Sequence, residues 1–449
     1  MTTVRVPRSR ALRALTVLAV VATATGMVAG PAAAETDPGQ VSGWFNDLTV
    51  GAAGAPGRVA PLELSSTGAT APRVTVDLTG LAGVATASFP DWCVTEGTSV
   101  TCPMPPGATP DEYGTVNGTV PVVFRAAPGA VDGATGTLDY TVGADGLEPY
   151  THQATVGVRS GPDLLDLVDE RVQGVDVGDV HALAVAVVNA GDQPAGDLRL
   201  TLRFPVGLQP ASYRNCRYGT DAVLATVVVC TVRGTFAPGI RHELRNGLAT
   251  TVGPAALGDK RITQFVEPLA TAGPLPGNVR LTRREADHAL RLRPVGEPMD
   301  PITATGAGGT TYLRAIHGAF DVVAVGATVT GAVGDTVRVN VGIRNDGPGV
   351  PDGTVSGGNA GGFLFTPPAG VTVLADPAGC VPTNHDEGGA PTAWVCWLGA
   401  VFPAGQSFTV PFELRIDGPM GAPGEIRVYY DYPRPDDDPA NDAAPVTLG

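Results

Sequence analysis

Lysine is almost absent: Lys260 is the one lysine in 449 residues, and the 29 basic side chains are outnumbered by 44 acidic ones. A surface of that sign repels nucleic acid and anionic lipid, whose binding draws on clustered Lys and Arg. Net charge also serves solubility with no partner at all. Catalytic and metal signatures are missing too. The sequence has no CxxC or HxxxH spacing, no GxSxG elbow and no glycine-rich phosphate loop opening a helix. "HELRN" at 242–246 begins like a metalloprotease helix but lacks the second histidine one turn later. The six histidines, His152, His181, His242, His288, His317 and His385, fall at unrelated places, so a triad would have to assemble from dispersed residues.

Long apolar runs are also missing beyond the first 34 residues, whereas a membrane span needs about 20 apolar residues. Residues 1–34 read as a secretory signal. Arg5, Arg8, Arg10 and Arg13 give a positive start, an apolar stretch runs from Ala14 to Val28, and Ala32-Ala33-Ala34 offers a cleavage site before Glu35. Thr16, Thr23, Thr25 and Gly26 interrupt the stretch, which argues against a retained anchor. Cleavage would remove those four arginines, leaving 25 basic against 44 acidic side chains and a net charge near −19. No cysteine precedes Cys93, and the tail "NDAAPVTLG" lacks a Leu-Pro-x-Thr-Gly motif. The expectation is a secreted protein whose attachment to any surface is noncovalent.

What the chain does have is turns and short strands. With 60 Gly, 41 Pro, 16% charged and 43% hydrophobic residues, it is apolar enough for cores and rich in turn formers. A mature length of about 415 residues suggests two to four domains. Strict alternation marks the strands: Val337, Val339, Val341 and Ile343 alternate with Arg338, Asn340, Gly342 and Arg344, ending at the turn Asn345-Asp346-Gly347-Pro348. Leu198, Leu200, Leu202 and Phe204 do the same in the middle of the chain, and Val74, Val76 and Leu78 near the start.

These runs recur in a common order: an alternating strand, a turn with Pro or Gly, a cysteine, a variable loop, a second cysteine, and a Pro-Gly turn. The cysteine pairs are Cys93 and Cys102, Cys216 and Cys230, Cys380 and Cys396; the turns after them are "PPG", "FAPG" and "FPAG". "TVPVVFR" at 119–125 matches "TVPFELR" at 409–415. Final strands are expected at "YTHQATVGV" from 150, "EADHALRLRPV" from 285 and "PANDAAPVTLG" from 439. The units are therefore 40–159, 160–296 and 316–449, with 297–315, rich in Gly, Pro and Thr, as a linker. About seven short strands per unit and no convincing amphipathic helix predict antiparallel β-sandwiches. A helix over 282–292 is the one competing reading.

The "RNDGP" turn, the alternating strand, the Pro-Gly corner, the paired cysteines, "LGAVFPAGQS" and the closing "DDDPANDAA" resemble the immunoglobulin-like repeat of secreted bacterial surface proteins, including the CARDB type. The match is best in the third unit; in the second, "PDLLDL" and "VVNAGDQPAGDLRLTLRFP" carry it. That resemblance implies an Ig-like sandwich used as a stalk or binding module, with no catalytic residues to carry over.

Six cysteines allow 15 pairings by count alone, and the repeat reduces them to one, in which each unit keeps its own pair. In some extracellular sandwiches an internal Lys–Asn bond stiffens the fold; with Lys260 as sole lysine, units one and three cannot use that chemistry. "PDDDPANDA" clusters Asp436, Asp437, Asp438, Asn441 and Asp442, oxygen ligands of the kind calcium prefers, although a solvated acidic turn is the simpler reading. Trp394 and Trp397 fall on opposite faces of a strand, so one packs inward and the other is a candidate contact for a sugar or partner. His385, in the charged run between Cys380 and Cys396, is the other candidate contact. The sequence thus points to a non-enzymatic structural or adhesion module whose partner is an extracellular protein or glycan, with no cofactor beyond the calcium just weighed. A carbohydrate- or wall-binding accessory protein is the alternative, and an extracellular hydrolase the third.

Overall fold

The computed structural model describes residues 39–449 apart from 246, 276–278, 305, 356, 384–390, 420, 430–435 and the side chain of 448. The expected signal segment lies outside the described residues. Within them the chain is built from β-strands and two 3-10 turns, Thr79–Leu81 and Leu269–Thr271.

Period-two alternation explains the sheets. Along Leu198–Phe204 the residues Leu198, Leu200, Leu202 and Phe204 are all buried, while Arg199, Thr201 and Arg203 stay half-buried on the other face. The same logic buries Val339, Val341 and Ile343 on Thr336–Asn345. Three hydrophobic cores result, centred on Leu62, Val76 and Val122 in the first unit, Leu200, Phe204 and Ile262 in the second, and Phe363, Phe365 and Phe412 in the third.

Each core lies between two sheets. In the first unit one sheet runs Gln40–Phe45, Arg58–Thr67, Thr115–Ala126, Ala85–Ser88; the other, here called the front sheet, runs Leu48–Gly51, Tyr150–Arg159, Thr135–Asp145, Thr70–Asp77, Ser99–Pro103, Val94–Glu96. The third unit repeats this, its front sheet running Ala327–Val329, Ala443–Leu448, Gly424–Tyr429, Gly362–Thr366, Trp394–Trp397, Cys380–Pro382. In the second unit the back sheet divides into two short pieces. Within each unit the named strands pair antiparallel except where an early strand joins the last: Leu48–Gly51 with Val156–Arg159, Asp169–Val172 with Thr310–Leu313, and Ala327–Val329 with Val446–Leu448. The chain thus crosses between sheets near the start of every unit and covers an edge of both, an arrangement that limits open edges. The strand order is that of Ig-like sandwiches in tandem.

One segment departs from expectation. Residues 297–315 are no linker: Gly308–Ile316 is the last strand of the second front sheet, antiparallel to Gly258–Pro268. The strand expected from 285 is not the closing strand; within it, Leu292–Val295 pairs with Arg241–Leu244 at the edge of a back sheet, and no helix forms over 282–292. Gly309 faces inward, where a Cβ would run into Asp166 Oδ1 and the Val168 carbonyl, so the strand requires glycine for close approach.

Between Leu269 and Ala307, Leu290 is buried in the second core, and the segment around Ile302 reaches back to the first unit. Ile302–Thr303 adds a short parallel strand beside Arg58–Val59, and Ile302 is packed with Leu165, Val188 and Ala190 in a small apolar cluster.

Candidate functional site

The three disulfides form as expected, Cys93–Cys102, Cys216–Cys230 and Cys380–Cys396. Each lies at the edge of one front sheet, Cys93 one residue before the edge strand Val94–Glu96, rather than joining two sheets. The second cysteine of each pair is wholly buried and sits beside Val74, Leu200 or Phe363 of the adjoining strand. No free cysteine is present among the described residues. These sulfurs are scaffold.

A second repeated device explains the "NAGD" and "RNDGP" turns. Asn189 and Asn345 are completely buried at the ends of equivalent strands. Asn345 Nδ2 donates to the Gly349 and Phe402 carbonyls, and its Oδ1 accepts from the Gly347 amide. Asn189 Nδ2 donates to the Gln193 and Phe236 carbonyls, and its Oδ1 accepts from Gly191 and Asp163. In both units one side chain fastens the turn after this strand to the Pro-Gly turn, "FAPG" in the second and "FPAG" in the third.

The aromatic candidates separate. Trp394 is buried, donates from Nε1 to Asp376 Oδ1 at 2.7 Å and packs edge-on against Phe412. Trp397 is 36% exposed and meets Tyr429, 45% exposed, in an edge-to-face contact at 5.3 Å. Both are in register with Gly362, one on each side, so the two rings meet over a position without a side chain. Val381, Val395 and Leu364 form the neighbouring row, continued by Arg427, whose guanidinium is held by Glu425. His385 lies outside the described residues.

The acidic run 436–442 is consumed by its own architecture. Asp436, buried, accepts the Val322 amide on Oδ2 and the Asp438 amide on Oδ1; Asp437 accepts the Phe320 amide. Asp438 caps Ala440, and Asn441 donates to Asp321. These contacts tie the tail to the start of the third unit. Asp442 lies in the same run, one residue before the last strand. Among the described residues no three His, Cys, Asp or Glu side chains converge as a metal site would require.

The described histidines stay apart. His152 packs against Tyr140 and edge-on to Tyr150, His181 approaches Glu170 at 3.8 Å, and His317 approaches Asp176 at 3.9 Å. His242 is buried against Phe236, and burial lowers its pKa. His288 contributes its backbone carbonyl to Arg214.

The strongest electrostatic features were not foreseen. Lys260, fully buried on Gly258–Pro268 of the second unit, places Nζ 2.9 Å from Oδ2 of Asp352, which follows the strand Thr336–Asn345 of the third. Burial lowers the Lys260 pKa, and Asp352 offsets only part of that. For Asp352 burial acts upward, but the Lys260 charge and the Thr354 and Lys260 hydrogen bonds prevail, and its pKa is lowered. Close by, the Val350 amide donates to the Ala255 carbonyl and Leu257 packs into the third core. The joint between first and second units is also tied: Asp300 accepts from both Arg125 amino nitrogens and from the Gly57 amide, and Arg58 donates to Asp163. Inside the second unit, burial pushes the Asp166 pKa up to about 7, although the Val168 amide donates to Oδ1. Asp166 Oδ2, Gln264 Oε1 and Thr311 Oγ1 are buried there without partners.

No protein-family model and no curated protein matches the chain. Likeness is found only among solved structures. Dpr2 Ig1-Ig2 in complex with DIP-Theta Ig1-Ig3 is 10% identical, covering 92% of this chain and 99% of that one, with a TM-score of 0.23. The I-band fragment I67-I69 from titin is 9% identical, covering 91% and 98%, with a TM-score of 0.17. Trypsin-activated alpha-2-macroglobulin from Escherichia coli is 14% identical, covering 76% of this chain and 22% of that one, with a TM-score of 0.20. At such scores the Ig-like assignment rests on the strand order of the sheets.

Proposed function

We propose that the chain is a non-enzymatic extracellular module, a tandem of Ig-like sandwiches of the bacterial CARDB-like surface-repeat type serving as a structural or adhesion element. The supporting observation is that both joints between successive sandwiches are tied by specific contacts, the strand Ile302–Thr303 beside Arg58–Val59 at the first and Lys260 with Asp352 at the second. A module that presents a surface at a defined position needs that fixed geometry, whereas a chain of independent folds would be joined by solvated linkers. Three disulfides suit an oxidising compartment. Fractionation of the host culture tests the reading: the protein belongs in the medium or on the cell surface, and recovery from the cytoplasm alone overturns it.

Exposure of Trp397, propped edge-to-face by Tyr429, favours carbohydrate binding as a second reading, since an exposed aromatic face can stack on the apolar face of a neutral sugar. Retention on a neutral polysaccharide that is lost in Trp397→Ala, with the melting curve unchanged, supports it; no retention of the unaltered protein by any polysaccharide tried ends it.

A further inference from the structure

We propose that Lys260 and Asp352 condense into an intramolecular amide, a covalent bond across the joint between the second and third sandwiches. Four observations carry the proposal. The partners are in contact, Nζ to Oδ2 at 2.9 Å. Both side chains are sealed from solvent, at 0% and 2% exposure. The two carboxylate oxygens have different partners: Oδ2 faces the amine, whereas Oδ1 accepts the Thr354 amide at 2.9 Å and the Thr354 hydroxyl at 2.5 Å. Finally, Lys260 is the one lysine of a chain that otherwise uses arginine for its basic groups. Arginine is the usual choice for a buried ion pair, and only the amine of lysine can lose its proton and become a nucleophile.

The chemistry balances without a further reagent. The ammonium passes one proton to Oδ2 along their hydrogen bond, leaving a neutral amine and a carboxylic acid. Burial pulls the Lys260 pKa down and acts upward on Asp352, so it favours the neutral pair, against the ion pairing and Thr354 hydrogen bonds that hold the Asp352 pKa down. The nitrogen lone pair adds to Cγ, and negative charge collects on Oδ1, where the Thr354 amide and hydroxyl stand as preorganised donors. The Cγ–Oδ2 bond then breaks, and Oδ2 leaves as water with a second proton from the nitrogen. One N–H remains on the new amide. Ammonium plus carboxylate have become amide plus water, with nothing oxidised or reduced, and exclusion of solvent protects the product from hydrolysis.

A single lysine makes the test clean. The purified full chain is reduced, denatured and treated with an amine-reactive label, then cut at arginine and mapped by mass spectrometry. The expected result is loss of the Lys260 label and a branched peptide joining the Lys260 and Asp352 segments, lighter than their sum by one water. Asp352→Asn is expected to give the same branched product by loss of ammonia, and Asp352→Ala to free Lys260 for labelling whether or not it folds. Thr354→Val, which deletes the hydroxyl donor and keeps the amide, should slow linkage on the order of a hundredfold. Full labelling of Lys260 in the unaltered chain, with the two peptides separate, overturns the proposal and leaves an ion pair only.

Discussion

Asn345 donates from Nδ2 to the Phe402 carbonyl at 2.8 Å, fastening the turn that ends one strand to the Pro-Gly turn before the next long one. Replacing Asn345 by Ala would leave the Gly349 and Phe402 carbonyls and the Gly347 amide without their buried partner. The expected loss is about 3 kcal/mol of stability. Denaturant unfolding of Asn345→Ala beside the unaltered chain measures it, and a loss below 1 kcal/mol would refute the stapling role.

Asp300 and Arg125 meet at 2.7 Å, but both side chains are about half exposed, so water screens their attraction. A double-mutant cycle with Asp300→Ala and Arg125→Ala is expected to give a coupling energy of only about 0.5–1 kcal/mol. Registry at this joint then depends chiefly on the added strand and on Ile302.

Asp166 gives a pH dependence of unusual sign. Its pKa rises from the ordinary 3.8 to about 7 on folding, so the folded chain holds a proton that the unfolded chain has released. The stability it contributes is complete below the unfolded pKa and declines as pH climbs through the window from 3.8 to about 7, by roughly 4 kcal/mol in total. Asp166→Asn removes that ionisation and keeps an oxygen for the Val168 amide. The difference between variant and unaltered chain in urea unfolding should grow in favour of the variant between pH 5 and pH 8; an equal difference at both values contradicts the assignment.

Calcium is expected to do little. Asp436 and Asp437 already bind backbone amides of the segment 320–322. Scanning calorimetry with added calcium and then with a chelator should give superimposable curves for the third unit, and a rise in its melting temperature with calcium would show that oxygens of the run 436–442 turn outward to a cation.

Much of this architecture was legible in the sequence where a local rule operates. Alternation over 198–204 and 337–343 located strands because one face of each is buried, and the recurrence of cysteines at one point of the repeat gave all three disulfides. The strand Gly308–Ile316 was hidden because its inward position 309 holds glycine under Asp166 and its neighbours are small. Alternation cannot register a residue that is buried by having no side chain. Lys260 and Asp352 were invisible for another reason: neither neighbourhood in sequence hints at the other, and only the packing of one sandwich on the next brings them together. Tyr429 likewise joins Trp397 only through their shared register with Gly362.

The short strand Ile302–Thr303 beside Arg58–Val59 bears on how the chain comes into being. A polypeptide is made from its N-terminus, so the first sandwich emerges with part of one sheet edge bare. It must wait until most of the second sandwich has followed before residues 302 and 303 arrive to cover it. The second sandwich in turn receives its final strand, Gly308–Ile316, only after that return visit. Two neighbouring folds therefore finish almost together, and a chain cut short within the second unit would leave the first one incomplete as well.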